Sequence, residues 1–273
     1  MNEEINKDEI SNIETNQNHQ KESPILSKNL EQKKDKDSEA PKTGKYKITE
    51  LKGPVVLPPN YSTDDEDEFN AIQILNQDIS EWKLQKDKDN IKVYSKLFKI
   101  TNDEGKQVDG IVFYIEATIN FPSHEVNKQL HNFSLRAKWD KSLQKGKIIK
   151  EEYLPNNIDI TDYRSYIKMP LIYSDRDAIL RSKTWIDHLG NKGCYLSHLK
   201  SIENPDFPPK EKPVRAFYEN GGEYMQPINE NQCKLYSVAK FDFKIMAPVF
   251  IMEGTGSEEQ FKAFKEFISH CGK

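Results

Sequence analysis

The stretch Tyr166–Trp185, YIKMPLIYSDRDAILRSKTW, decides how the rest of the chain is read. An apolar-patterned strand runs to Met169-Pro170, Ser174-Asp175-Arg176-Asp177 supplies a turn, and a second strand follows at once. This is a hairpin of a sheet, and its turn carries no obvious nucleophile. It points to a fold that encloses a cavity.

Working outward, the text on both sides is strand-like. Lys147–Tyr153, Ile158–Met169, Ala178–Trp185, Gly193–Ile202, Val214–Tyr224 and Cys233–Phe243 are separated by Pro155-Asn156-Asn157, Leu189-Gly190-Asn191, the proline-rich Asn204–Pro213, and Asn229-Glu230-Asn231. Upstream, Ile91–Phe98 and Gly110–Ile119 flank the turn Asn102–Gly105. A strongly bent antiparallel sheet of about eight or nine strands is the economical assembly. Three helices accompany it. Phe69, Ile72, Leu75, Ile79 and Trp82 recur at spacings of three and four after the acidic run Asp64–Glu68. A second helix starts near Ser123 after Pro122, with an apolar face through Val126, Leu130, Phe133 and Ala137 to Trp139-Asp140. The last carries Phe250, Phe261, Phe264, Phe267 and Ile268 as a stripe, with Gly254-Thr255-Gly256 expected to loosen or break it. A long amphipathic helix following a curved sheet buries its stripe across the concave side, so the fold class is α+β.

Composition narrows the function classes. The 273 residues hold 40 Lys and Arg against 44 Asp and Glu, a formal charge of -4, which argues against broad wrapping of nucleic acid. A mean hydropathy of -0.82 implies that part of the chain is unpacked. Residues 1–60, rich in Asn, Glu, Lys, Ser and Asp, read as a disordered polar segment, with the packed domain expected over 61–273. Lys33, Lys34 and Lys36 are too diluted by Glu31, Asp35 and Asp37 to form a polybasic anchor. The first residues show neither a secretory signal nor an apolar span, and Cys194, Cys233 and Cys271 lack CxxC spacing. A cytoplasmic setting with reversible membrane contact is the expectation.

Several segments in order resemble the START family, the lipid-transfer domains related to the steroidogenic acute regulatory protein. They are the first helix ending at Trp82, DNIKVYSK at Asp89–Lys96, Trp139-Asp140, YIKMPLIYSDRDAIL at Tyr166–Leu180, PVRAFYENGGEYMQPI at Pro213–Ile228, and CKLYSVAKFDFKIMAP at Cys233–Pro248. The resemblance implies a helix-grip fold holding one lipid (a sterol, phospholipid or sphingolipid) under the C-terminal helix, with no cofactor and no catalysis. It also implies transient contact with membrane surfaces.

Candidate ligand contacts follow from strand alternation, which separates Tyr163, Ser165, Ile167 and Met169 from Arg164, Tyr166 and Lys168, and Ile179, Arg181, Lys183 and Trp185 from Ala178, Leu180 and Ser182. Alternation does not say which set faces inward. Arg164 and Tyr166 are the polar anchors expected, with Trp185, Glu219 and Tyr224 beside them. Met246, Phe250, Phe261 and Phe264 are expected against lipid carbon. Arg176 is foremost a brace paired with Asp175 or Asp177, and secondarily a headgroup contact.

Two other readings stand beside lipid binding. A lipid-responsive adaptor would recruit a protein partner through the N-terminal segment. A helix-grip hydrolase would need His198 in a cavity near Glu219, and a metal or thiol site would need His188, Cys194 and His198 together. No HExxH, GxSxG or GxxxxGK pattern is present.

Overall fold

The structure, a computed structural model, describes residues 44–48, 52–101, 105–144, 146–169, 173–245 and 248–271. In chain order these form β1 (Tyr46–Lys47), β2 (Ser62–Thr63), α1 (Glu66–Leu75), β3 (Lys83–Lys88), β4 (Ile91–Thr101) and β5 (Gln107–Ile119). The helices α2 (Ser123–His131), α3 (Phe133–Arg136) and α4 (Lys141–Gln144) follow. Then come β6 (Lys147–Leu154), β7 (Ile158–Ile167), β8 (Arg176–Ile186), β9 (Tyr195–Ser201), β10 (Val214–Arg215), β11 (Phe217–Asn229), β12 (Gln232–Asp242) and α5 (Val249–His270). The main sheet runs β3-β4-β5-β12-β11-β9-β8-β7-β6, with β10 added parallel to β8. All other pairs along it are antiparallel, as the hairpin text required.

Each face of this sheet buries its own apolar cluster. The inner face sets Val93, Phe113, Ile115, Met225 and Leu235 against Val126 and Leu130 of α2 and Phe261 and Phe267 of α5. The outer face sets Tyr114, Leu196, Tyr224, Tyr236 and Val238 against Ala71, Ile72, Ile74 and Leu75 of α1. At Gly222 a Cβ would stand 3.0 Å from Ile74 and Leu75, so glycine lets α1 lie close to β11. Ile48 and Val55 are buried in the same outer cluster, and Asn76 bonds both the N–H and the carbonyl of Val55 at 2.9 Å. The polar segment expected to reach residue 60 therefore overlaps, at 44–48 and 52–60, with residues packed on the domain.

Three local expectations are corrected. Helix α1 stops at Leu75 instead of Trp82, because Asn76 caps it and turns its side chain to Val55; Ile79 and Trp82 lie in the link to β3. The second helix is divided: Asn132 is extended (φ -84°, ψ 105°), and its side chain caps α3 by accepting from Leu135 N at 3.1 Å. Helix α5 runs unbroken through Gly254-Thr255-Gly256. A Cβ at Gly256 would lie 2.7 Å from the Phe113 ring, so close approach to the sheet, a tertiary demand, places glycine there.

Candidate functional site

The site is built across the inner face where α2 meets the middle strands. Strand register puts Val93, Ile115, Ser237, Glu223, Ser197, Thr184 and Asp159 in one row from β4 to β7. The β4–β5 end of the row is apolar, whereas its middle carries a run of hydrogen-bonding side chains. Thr184 Oγ1 and Ser197 Oγ are 2.9 Å apart, and His131, the last residue of α2, puts Nε2 at 3.3 Å from Ser197 Oγ. The same Nε2 stands 3.5 Å from Glu223 Oε2, an oxygen with no hydrogen-bond partner.

His131 and Glu223 lie deep in the protein body. Their side chains nevertheless keep 15% and 17% of their surface accessible. Arg136 of α3 closes this end, donating Nε–H to Asp140 Oδ2 at 2.9 Å, and stands beside the buried Tyr163. Trp139 packs its ring 5.1 Å from Phe267 of α5, and its Nε1–H is buried without an acceptor. Burial pushes the Glu223 carboxyl above its ordinary range, an effect that Arg136 and a hydrogen bond with Ser237 oppose without cancelling. Burial, with Arg136 adding to it, pushes His131 down to about 3, so this imidazole is neutral at physiological pH. The result is a hydrogen-bonding patch set in an otherwise apolar inner face.

The residues expected from sequence are spread over both faces. Pairing joins Tyr163 with Leu180 and Ser165 with Ala178, which places these on the inner face and Arg164, Tyr166 and Ile179 on the outer. Arg164 donates to Asp177 Oδ2 at 2.8 and 3.0 Å. Trp185 and Tyr224 belong to the outer cluster, where Trp185 borders an open recess of about 450 Å³ shared with Glu68 and His188. Glu219 is exposed and pairs with Lys240 at 2.7 Å. Phe250 is 74% exposed, whereas Phe261 is buried on the inner face and Phe264 packs against the same cluster. Met246 lies outside the described residues.

Arg176 braces the fold with different partners from those expected. It opens β8 instead of sitting in a turn, and donates to the main-chain carbonyls of Ser174, Phe243 and Lys244. Asp177, buried at 2% exposure, is held instead by Arg164 and by Arg215 of β10 at 2.8 Å. The enzyme constellations are also dispersed. His198 faces outward to Asp67 (3.1 Å) and Asn220 (2.8 Å), and His188 meets Glu68 at 2.7 Å. Among the described residues no three His, Cys, Asp or Glu are grouped to hold a metal ion.

The START domain profile matches residues 70–273. The chain belongs to the START domain family. No curated protein matches it significantly. Among solved structures it is similar to human STARD10 (20% identity, TM-score 0.56, covering 80% of this chain and 81% of that one). It is also similar to human StAR-related lipid transfer protein 5 (18%, 0.58, 72% and 88%) and to the human StarD13 (DLC2) lipid transfer and protein localization domain (19%, 0.52, 70% and 89%). At these identities the likeness establishes the helix-grip fold. The wall of His131, Glu223, Ser197 and Thr184 escaped the sequence reading. The signal available was the parity of β11, since Glu223 shares its face with Met225 and the reading selected Tyr224 between them.

Proposed function

We propose that this START domain binds one lipid without chemical turnover, its chain between the inner face and α5 and its polar end against the wall around Glu223. The observation that carries this reading is the buried, unpartnered Glu223 Oε2 beside His131 inside an otherwise apolar face. Orphaned buried oxygens cost stability, and a ligand group that satisfies them gives the arrangement a use. Apolar chain entering beside Phe261, Phe264 and Met252 leaves water at about 0.8 kcal/mol per CH₂. The exposed Phe250 and Ile251 at the start of α5 support reversible contact with a membrane surface, from which the lipid is taken. No described helix is long and apolar enough to cross a membrane. A protein partner recruited by residues 1–43 falls outside the described residues.

The test is native mass spectrometry of the purified full chain, followed by release and identification of the bound mass. One lipid per chain is expected, bound again after stripping and incubation with vesicles, and released chemically unchanged. A stripped chain that takes up no sterol, glycerolipid or sphingolipid overturns the reading, and release of an altered lipid overturns its non-catalytic part.

A further inference from the structure

A cluster of charge lies on the outer face, at the corner where β6 begins and β10 is added to β8. Lys147 of β6 and Arg164 of β7 are direct partners across the β6–β7 ladder, and like charges so placed destabilise a sheet. Arg215 of β10 is in register with Asp177 of β8. Asp177 answers both guanidiniums: Arg164 donates to its Oδ2 at 2.8 and 3.0 Å, and Arg215 to Oδ1 and Oδ2 at 2.8 and 3.2 Å. The Phe207 ring closes the cluster, 5.6 Å from Lys147 Nζ and 5.8 Å from the Arg164 guanidinium, while its carbonyl accepts from Arg215 at 3.0 Å. Among the described residues no second carboxylate pairs with these cations. Glu203, Asp206 and Glu211 of the β9–β10 link are exposed, and Asp175 accepts from the Met169 N–H at 3.2 Å.

Three cations against one carboxylate leave an excess of two positive charges at this corner. The carboxylate serves to orient: at 3% side-chain exposure it fixes both guanidinium forks, which stay 24% and 19% exposed. The Nη1 group of each fork has no acceptor among the described residues, and Lys147 stands exposed at the rim. Pre-oriented guanidiniums beside a lysine match the oxygens of a phosphate group. Charge decides which kind of ester fits. A phosphodiester brings a single negative charge, whereas a monoester brings about 1.5–2 at neutral pH and cancels the excess. We propose that Lys147, Arg164 and Arg215 form a binding site for a phosphate monoester, on the outer face and apart from the lipid position under α5. Both a soluble ester and a lipid headgroup carry that chemistry. The inference goes beyond lipid binding and does not depend on it.

The experiment titrates the full chain at low salt with inorganic phosphate, read by isothermal titration calorimetry. A parallel arm uses phosphatidylcholine vesicles carrying equal small fractions of phosphatidic acid, a monoester, or phosphatidylglycerol, a diester, read by co-sedimentation. Saturable binding at one site is expected. Lys147→Gln removes an exposed charge with no carboxylate partner and should weaken that binding about ten-fold. Arg215→Lys keeps the charge but loses the fork, and should weaken it about five-fold. Thermal unfolding without phosphate shows that both variants fold, and Lys147→Gln should unfold no lower than the wild type because it relieves the like-charge pair. A preference for phosphatidic acid over phosphatidylglycerol that Lys147→Gln reduces assigns the site to a headgroup. Phosphate binding without that preference assigns it to a soluble ester. The inference is overturned if neither probe shows saturable, monoester-dependent binding, or if folded Lys147→Gln binds as the wild type does. Lipid uptake, read separately by mass, is untouched by either result.

Discussion

Glu223 shows how a single residue can weaken the fold while serving a site. Its neighbours on the inner face are Ser197 and Ser237 across the ladder and His131 above, with the Arg136 guanidinium close enough to oppose the effect of burial without cancelling it. Burial raises its pKa, so the folded state holds the proton more tightly than the unfolded chain does. By linkage, stability associated with this group is full below the ordinary carboxylate pKa and declines as pH rises through the raised folded value. Glu223→Met should thus be the more stable protein in the absence of lipid, on the order of 1 kcal/mol at about pH 8, with the gap closing toward about pH 4. Urea midpoints of the stripped proteins across that range check it; a variant less stable at the alkaline end would show that the carboxylate contributes favourably. Sequence alternation identified two faces on every strand but could not say which was inward. Arg164, Tyr166 and Tyr224 are each one residue away from the inner positions Tyr163, Ser165 and Glu223 or Met225. The direction came only from where the helices lie, which is non-local information.

At the scale of elements, α5 reverses the usual meaning of its glycines. Gly254 and Gly256 have the same helical conformation, yet a Cβ at Gly254 meets nothing within 4 Å while one at Gly256 strikes Phe113. Gly254→Ala should raise stability by about 0.5–1 kcal/mol through helix propensity alone. Gly256→Val should lower it by about 1–3 kcal/mol, because the added methyls must lift α5 or displace the Phe113 ring. Thermal or urea unfolding of the two single variants separates these effects, and equal shifts would remove the packing explanation. The same contrast explains which elements were legible. The strands from β4 onward and the existence of α1, α2 and α5 follow from period-2 and period-3.6 patterns. Intrinsic propensity led to the expectation that α5 is loosened or broken at its glycines, because it cannot register a helix pressed on a sheet. Strand β3, KLQKDK, was missed because a lysine-rich edge strand has little apolar alternation to detect.

Across the whole molecule, the outer helix adds half-buried and buried carboxylates to its apolar contact, whereas the ion pairs of α5 with Lys83, Lys86 and Asp89 flank a carbon contact. Helix α1 and its cap place Asp65 on Lys183 (2.5 Å), Asp67 on His198 (3.1 Å) and Lys200 (2.5 Å), and Glu68 on His188, Thr63 and Tyr61 (2.6–2.7 Å). Burial alone would raise the pKa of Asp67 and Glu68, but their hydrogen bonds outweigh it and hold both below the ordinary carboxylate range. With folded values depressed, their contribution is complete above the unfolded pKa of about 4 and is lost as pH falls through the folded values. Helix α5 instead holds the inner face chiefly through Phe261 and Phe267, which do not titrate. Acidification from about pH 6 to about pH 3 should therefore weaken the outer face first. Hydrogen exchange should rise in α1 before it rises in α5, and the urea midpoint should fall over the same interval. In the double variant Asp67→Asn, Glu68→Gln the slope of midpoint against pH should flatten, since the linked protons are gone, while stability at neutral pH drops by about 1–3 kcal/mol from weakened charge-assisted bonds. An unchanged slope would mean that other carboxylates set the acid limit, and simultaneous exchange of α1 and α5 would mean that the two faces open as one unit.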